Sequence, residues 1–120
     1  MGLRCVLVDD SEEFLASGAR LLESQGVEVV GCATSGAKAL ELTEALEPDV
    51  ALVDIELGDE DGIVLTEELV VRAPSTAVIL ISSYDRNDLG ELLARSAARG
   101  FLSKTELGGD AIARLLVSEP

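Results

Sequence analysis

Histidine and tryptophan are absent from this 120-residue chain, and phenylalanine and tyrosine together supply only three residues. The absence of histidine excludes Ser-His-Asp hydrolysis, HExxH zinc sites and acid–base catalysis by imidazole. Aromatic residues make up 2% of the chain and hydrophobic residues 48%, so the core must be largely aliphatic. The sequence therefore predicts a domain packed by valine, leucine, isoleucine and alanine.

Basic residues are also few, because 9 lysines and arginines accompany 23 aspartates and glutamates, for a net charge of −14. Nucleic acid phosphates are bound mainly through lysine and arginine. We therefore expect no direct nucleic acid binding by this domain. An acidic surface favours cationic partners instead.

Cysteines and long apolar runs are scarce as well. Cys5 and Cys32 do not make a disulfide framework, and although their strands could be neighbours, we interpret both as small buried hydrophobic residues in a reducing compartment. The chain enters its first strand without a basic and apolar leader segment, and no apolar run reaches membrane-spanning length. We therefore expect a cytoplasmic protein with no membrane association.

What the chain does contain is a regular alternation of apolar runs and amphipathic stretches. This pattern predicts a single α/β domain with a five-stranded parallel sheet and helices on both faces. The predicted strands lie near residues 3–9, 27–32, 49–54, 76–81 and 98–102. The predicted helices lie near residues 12–25, 36–46, 62–72, 85–96 and 106–117.

The first predicted helix shows how these boundaries are drawn. Ser11 is its expected N-cap, and Gly26 tolerates the left-handed conformation that ends a helix. The apolar face is predicted from residues spaced at one helical period, namely Phe14, Gly18, Leu21 and Leu22.

Polar side chains follow four of the predicted strands: Asp9-Asp10, Asp54, Ser82 and Lys104. Ligands bind at the carboxyl ends of the strands in open α/β sheets, so we expect these groups to converge. Like-charged carboxylates at about 4 Å repel by about 4 kcal/mol at an effective dielectric near 20, and a bound cation or a raised pKa relieves that repulsion. The pattern predicts a site for a divalent cation and a phosphoryl group.

Each cluster also has a simpler structural explanation. Asp9-Asp10 could cap the first helix, Ser82 or Ser83 could cap the fourth, and Lys104 could be a solvated charge. Asp54 could be a loop acid, followed by an acidic loop over residues 55–60 and a turn at Asp61-Gly62.

The combination is more specific than its parts, and it resembles the receiver domain of two-component response regulators over essentially the whole chain, residues 1–120. The resemblance implies a flavodoxin-like fold with strand order 2-1-3-4-5. The residues that carry it are Leu7-Val8-Asp9-Asp10, Ala33-Thr34-Ser35-Gly36-Ala37-Lys38-Ala39-Leu40, Pro48-Asp49, Asp54, Asp61-Gly62 and Gly100-Phe101-Leu102-Ser103-Lys104.

The resemblance implies that Asp54 is the phosphoacceptor for a phosphoryl group held on a sensor histidine kinase or a phosphotransfer protein. Asp10 would ligate Mg²⁺ directly, with Mn²⁺ as an alternative ion, and Asp9 would hold the metal largely through water. Asp54 would contribute a carboxylate oxygen to the metal, and Glu56 would contribute its main-chain carbonyl.

Four further residues take roles by the same resemblance. Lys104 would pair with a phosphoryl oxygen, and Ser82 would be the hydroxyl that moves to the phosphoryl group. Phe101 would turn inward as Ser82 moves, although an aromatic residue on a terminal strand is often simply core. Ser83 occupies a position usually given to a small residue, which keeps the site open to a phosphodonor.

The implied activity is limited to self-phosphorylation and slow hydrolysis of the aspartyl phosphate, so the chain is not a conventional enzyme. The switch is expected to act on the fourth helix, fifth strand and fifth helix. Homodimer formation is a further hypothesis. The chain looks closest to receivers that precede a C-terminal helix-turn-helix, which implies transcription as the output of a full-length protein.

Three departures from the family pattern stand out. Leu57-Gly58 replaces a frequent Met-Pro, which loosens the loop but removes no ligand. Thr105 replaces a proline that often follows the lysine in a cis bond, so the Lys104–Thr105 bond could be cis or trans. Tyr84 follows Ser83 and could shape the entrance to the site.

Three other classes compete with the receiver interpretation. A small Mg²⁺-dependent phosphatase resembling the haloacid dehalogenases would need Asp-x-Asp, whereas Asp9 and Asp10 are adjacent. A flavodoxin-like cofactor binder would need a phosphate loop that the two aspartates would repel. A receiver-like scaffold that works without phosphorylation would be revealed by loss of Mg²⁺ binding.

Overall fold

The computed structural model describes residues 2–83 and 90–117. Its main elements, in chain order, are β1 (Arg4–Val8), α1 (Glu12–Ser24), β2 (Glu28–Ala33), α2 (Gly36–Leu46), β3 (Val50–Asp54), β4 (Glu56–Leu57), β5 (Glu60–Asp61), α3 (Gly62–Arg72), β6 (Ala77–Ser82), α4 (Gly90–Arg95), β7 (Gly100–Ser103) and α5 (Gly109–Val117). Tyr84 and the predicted start of the fourth helix at residue 85 lie outside the described residues. Within those residues, no helix has the length and apolar character needed to cross a bilayer.

Five parallel strands form the central sheet in the order β2-β1-β3-β6-β7. Apart from the short strands β4 and β5, this is the predicted order 2-1-3-4-5, so the predicted fold is confirmed. Leu7 of β1 lies opposite Leu52 of β3, which in turn lies opposite Ile79 of β6. The register therefore aligns the carboxyl ends of β1, β3 and β6 at one edge of the sheet.

Both faces of the sheet are covered by apolar layers. Residues such as Leu7, Leu52 and Leu102 pack on the side of α1 and α5, and residues such as Val53 and Leu80 pack on the side of α2, α3 and α4. All five residues of β3 are buried, which explains why its first four, Val50–Val53, form a continuous apolar run rather than an alternation.

The helix ends follow the predicted sequence signals. The Ser11 hydroxyl accepts a hydrogen bond from the Phe14 amide at 3.2 Å, which caps α1. The Asp61 carboxylate caps α3 in the same way, accepting from the Ile63 amide at 2.8 Å. Gly26 has a φ of 88°, so the residue after the C-cap of α1 is in the left-handed conformation that glycine favours.

The segment predicted as an acidic loop contains a short antiparallel hairpin instead. Glu56 pairs with Asp61 and Leu57 pairs with Glu60. Leu57 is almost fully buried, so its side chain anchors the hairpin, and Gly58 has a φ of 62° at the turn. The hairpin therefore comes from the tertiary burial of one leucine, which a count of local acidic residues does not reveal.

The end of the chain differs in detail from the prediction. Lys104–Glu106 forms a 3-10 turn, and α5 begins at Gly109 rather than near residue 106. Leu107, which lies between the 3-10 turn and α5, is buried, and this accounts for the interruption of the helix. The described residues contain no cis peptide bond, so the Lys104–Thr105 bond is trans.

Two predictions of burial are wrong. Leu21 is 40% exposed, and Leu15 takes its place beside Gly18 and Leu22 because the buried stripe of α1 is rotated from the predicted one. Cys32 is exposed, since it lies on the edge strand β2, whereas Cys5 is buried and both thiols are free.

Gly62 ties the start of α3 to the main chain of the third strand. Its amide donates to the Ile55 carbonyl at 2.8 Å, and an added Cβ would overlap the main-chain oxygen of Asp54 and approach the Ile55 Cα to 2.9 Å. We expect Gly62→Ala to lower the free energy of unfolding by about 2 kcal/mol or more, because the backbone must shift. Urea unfolding would measure the loss.

Gly90→Ala is the matched control, because an added Cβ at Gly90 of α4 meets no atom of residues 2–83 and 90–117 within 4 Å. This substitution should be neutral or stabilise the fold by up to about 1 kcal/mol, since alanine favours a helix. Equal free energies of unfolding for the two variants would contradict the proposed close approach at Gly62.

Candidate functional site

Three of the polar residues at the strand ends, Asp9, Asp54 and Lys104, lie on one face of the sheet. Asp9, Asp54 and Lys104 each follow by two positions a leucine that packs toward α1 and α5. Side chains two residues apart on a strand point to the same face. The three side chains therefore converge from β1, β3 and β7, as the sequence predicts.

These groups line an open cleft with a volume of about 640 Å³. Of the residues predicted for the site, the cleft is lined by Asp9, Asp10, Asp54, Glu56, Ser83 and Lys104. Two of the cleft's other lining residues, Gly58 and Glu60, come from the β4–β5 hairpin. The hairpin therefore forms one wall of the site.

Asp9, Asp10 and Asp54 form a carboxylate cluster, in which one oxygen from each residue lies within 4.8 Å of the others. Asp9 is 0% exposed and Asp54 5% exposed, whereas Asp10 is open to solvent. Oxygen donors of this kind suit Mg²⁺, which is bound by a few carboxylates and keeps several waters. The donor set therefore fits a hard divalent cation.

Of the two buried carboxylates, only Asp9 is partly satisfied by hydrogen bonds, because Asp54 Oδ2 accepts one from the Lys104 ammonium at 3.5 Å. Asp9 Oδ1 accepts from the Ser11 amide at 2.8 Å, and Asp54 Oδ1 accepts from the Glu56 amide at 3.2 Å. Asp9 Oδ2 is buried and accepts no hydrogen bond of good geometry from the described residues, although it forms an ion pair. A buried carboxylate oxygen in this condition is a further reason why a cation fits the cluster.

Lys104 supplies the ammonium of that ion pair. Its Nζ lies 2.6 Å from Asp9 Oδ2 and 3.5 Å from Asp54 Oδ2. Burial lowers the pKa of Lys104, but the contacts with Asp9 and Asp54 outweigh burial and raise the pKa overall. The group therefore remains a cation. Its Nζ also lies 4.3 Å from the centroid of the Phe14 ring.

The carboxyl of Asp54 is held in an unfavourable setting for its charge. Burial and the nearby Asp9 carboxylate raise the pKa of Asp54 to about 6, although Lys104 and the Glu56 amide act in the opposite direction. The free carboxylate therefore gains from any further positive charge that enters the cleft.

Ser82 and Phe101 lie deeper than the cleft. Ser82 is 1% exposed at the end of β6, and Phe101 is 4% exposed opposite Leu80 on the face covered by α2, α3 and α4. Ser83, by contrast, is exposed and lines the cleft. The roles proposed for these three residues remain predictions.

Two residues near the site escaped the sequence analysis in this role. Phe14 was assigned only to the core face of α1, yet its ring contacts the Lys104 ammonium. Glu60 accepts a hydrogen bond from the Gly36 amide at 3.0 Å, which joins the hairpin to the start of α2. The scarcity of aromatic residues was the only signal for Phe14, and Glu60 was predicted only as part of the acidic loop over residues 55–60.

The raised pKa of Asp54 has a measurable effect on stability. Because the folded state binds this proton more tightly than the unfolded chain, the contribution is fully present below the unfolded pKa, near 4, and is lost as the pH rises through about 6. Asp54→Asn removes the titration. We expect the variant to gain about 1 kcal/mol over the wild type between about pH 5 and pH 8.

Urea unfolding in the presence of a chelator would measure this difference. Asp59→Asn is the control, because it removes one carboxylate of the same type and Asp59 is exposed in the hairpin turn. A stability difference between wild type and Asp54→Asn that does not change with pH would contradict the raised pKa of Asp54.

Comparison with known proteins gives the family of this chain. The family model described as the response regulator receiver domain matches residues 5–115. The chain is 29% identical over 104 residues to the DNA-binding transcriptional activator EvgA of Escherichia coli, covering 87% of this chain and 51% of EvgA. It is 36% identical over 115 residues to a protein-glutamate methylesterase/protein-glutamine glutaminase of Alkalilimnicola ehrlichii, covering 92% of this chain and 29% of that protein.

A solved structure agrees with these matches. The signal receiver domain of the response regulator NarL from Mycobacterium tuberculosis superposes with a TM-score of 0.85, at 34% identity and with 98% of each chain covered. The chain spans about half the length of EvgA and less of the methylesterase. The comparisons give no support to the phosphatase or to the phosphorylation-independent scaffold. With the fold, the cleft and the family match in agreement, the chain belongs to the receiver domain family of two-component response regulators.

Proposed function

We propose that this receiver domain accepts a phosphoryl group on Asp54 from the phosphohistidine of a sensor kinase or phosphotransfer protein. A bond forms between a carboxylate oxygen of Asp54 and phosphorus while the phosphorus–nitrogen bond of the donor breaks, and its electron pair stays on the imidazole. The observation that carries this proposal is the position of Asp54, which lies in an open cleft beside two further carboxylates and 3.5 Å from an ammonium.

Asp9, Asp10, Asp54 and the main-chain carbonyl of Glu56 would hold Mg²⁺ or, as an alternative ion, Mn²⁺. The bound ion would offset the negative charge of the phosphoryl oxygens. The chain's own contribution is to keep the carboxylates together before the donor arrives. The hydrogen bonds from the Ser11 and Glu56 amides fix Asp9 and Asp54 in place, which lowers the cost of orienting them during transfer.

Lys104 would move its ammonium from the free carboxylates to a phosphoryl oxygen. Its Nζ is already 3.5 Å from Asp54 Oδ2, so a short movement of a flexible side chain is sufficient. Before a cation binds, the ion pair with Asp9 keeps the charge in the cleft. Lys104 therefore serves the phosphorylated state more than the free one.

Ser82 and Phe101 would pass the change at Asp54 to the rest of the domain. The new phosphoryl oxygens accept hydrogen bonds, and the Ser82 hydroxyl would be a donor to them. Ser82 ends β6, the strand that pairs with β7, which contains Phe101. Ser83, exposed in the cleft, would keep the entrance open to the donor. The surface around α4, β7 and α5 would then report the phosphorylation state to a partner.

The output belongs to a longer protein or to a separate partner. EvgA is a DNA-binding transcriptional activator, and the second relative is a methylesterase, so the relatives themselves differ in output. We favour transcription as the output, in a protein with a cytoplasmic location. DNA would be contacted by another domain, because this chain carries a net charge of −14. Phosphorylation-dependent homodimer formation is part of the same proposal.

Phosphorylation can be tested by intact mass after incubation with acetyl phosphate and Mg²⁺. We expect the wild type and Asp59→Asn to gain one phosphoryl group, and Asp54→Asn or chelator-treated protein to gain none. The reason is that transfer needs both the Asp54 oxygen and a cation to offset charge. A phosphoryl group that persists in Asp54→Asn would place the acceptor elsewhere, and no gain from any donor would contradict the proposal.

Metal binding can be tested separately from transfer. Mg²⁺ at about 100 times its dissociation constant should stabilise the wild type by about 2.7 kcal/mol, since it binds only the folded carboxylate cluster. Asp10→Asn should weaken Mg²⁺ affinity by about tenfold or more, and Asp59→Asn should not, as measured by calorimetry. Equal affinities in the two variants would remove Asp10 from the ligand set.

A further inference from the structure

Phe14 brings one of the chain's three aromatic rings against Lys104, which lines the cleft. It lies one turn into α1, and the Ser11 hydroxyl that caps the helix accepts a hydrogen bond from the Phe14 amide. Its ring packs beside Gly18 on the same helix, where an added Cβ would lie 3.6 Å from Phe14 Cζ. The position of the ring is therefore set both by the capped end of the helix and by the packing below it.

The face of this ring is directed to the Lys104 ammonium, with 4.3 Å between Nζ and the ring centroid. A cation above an aromatic face is attracted by the ring quadrupole, and the attraction grows when the cation is partly desolvated. Lys104 meets that condition, because only 20% of its side chain is exposed. The ammonium is thus held from one side by carboxylates and from another by the ring.

These two sets of contacts differ in how they respond to a bound cation. Asp9 and Asp54, which pair with Lys104, also belong to the carboxylate cluster that fits a divalent cation. A second positive charge in that cluster would weaken both ion pairs, because the two cations repel each other and compete for the same oxygens. The ring carries no net charge to be neutralised, so its attraction for Lys104 survives.

We propose that Phe14 is a positioning residue that keeps the Lys104 ammonium over the cleft once the carboxylates are engaged by a divalent cation. Without the ring, the flexible lysine would move toward solvent as its ion pairs weaken. With the ring in place, the ammonium stays within reach of the oxygens that arrive with the phosphoryl group. The inference rests on the proposed function of Asp54 as phosphoacceptor.

Two substitutions separate the ring face from the volume of the side chain. Phe14→Leu keeps an apolar residue but removes the ring, whereas Phe14→Tyr keeps the ring face. At saturating Mg²⁺, we expect Phe14→Leu to slow phosphorylation by acetyl phosphate about three- to tenfold and to change the Mg²⁺ dissociation constant less than about twofold. Phe14→Tyr should remain within about twofold of the wild type.

Ile112→Val controls for a simple loss of packing, because Ile112 of α5 is buried in the same apolar layer and makes no contact with the cleft. It should weaken the core to a similar degree and leave the phosphorylation rate unchanged. An equal loss of rate in Ile112→Val and Phe14→Leu, or a loss in Phe14→Tyr as large as in Phe14→Leu, would overturn the proposal.

A second measurement does not depend on phosphorylation. The ε-methylene protons of Lys104, assigned by comparison with Lys104→Arg, should show an upfield ring-current shift in Mg²⁺-saturated wild type and in Phe14→Tyr, and should lose it in Phe14→Leu. If this shift disappears when Mg²⁺ is added to the wild type, the ring does not hold the ammonium and the inference fails. If the shift persists but no variant accepts a phosphoryl group, the proposed function fails and the placement of Lys104 by Phe14 remains.

Discussion

The burial of two neighbouring carboxylates, those of Asp9 and Asp54, is the constraint on which the rest of this structure depends. Asp9 is fully buried and Asp54 nearly so, and burial together with the Asp9 carboxylate raises the pKa of Asp54. A small aliphatic domain tolerates that cost only if the surrounding main chain is firmly held. The fully buried strand β3 and the parallel pairing of β1 with β3 supply that support.

The cost is offset by two kinds of contact, and neither removes it completely. Main-chain amides from Ser11 and Glu56 each satisfy one carboxylate oxygen, and Lys104 supplies a single positive charge to be shared. Asp9 Oδ2 is left with an ion pair but no well-formed hydrogen bond among the described residues. The carboxylates of the free site are therefore incompletely compensated. A cation or a phosphoryl group that completes their contacts gains binding free energy from this.

The sequence was sufficient where one local pattern decided the outcome. Apolar runs ending in Asp9, Asp54 and Ser82 predicted parallel strands and a common edge, because register and face follow from a period of two. It was insufficient where burial depended on distant residues. The hairpin depends on the burial of Leu57, the exposure of Cys32 depends on the edge position of β2, and the contact of Phe14 with Lys104 joins residues 90 positions apart.

The division of the site between the two faces of the sheet limits how a signal can leave it. Asp9, Asp54 and Lys104 follow the face covered by α1 and α5, whereas Phe101 packs on the face covered by α2, α3 and α4. The strand β6 lies between β3, which ends at Asp54, and β7, which contains Phe101. Ser82 ends β6 and is buried there, and Phe101 and Leu93 line a groove of about 300 Å³. The strand order thus accounts for the proposal that a hydroxyl on β6 links the acceptor to the far surface.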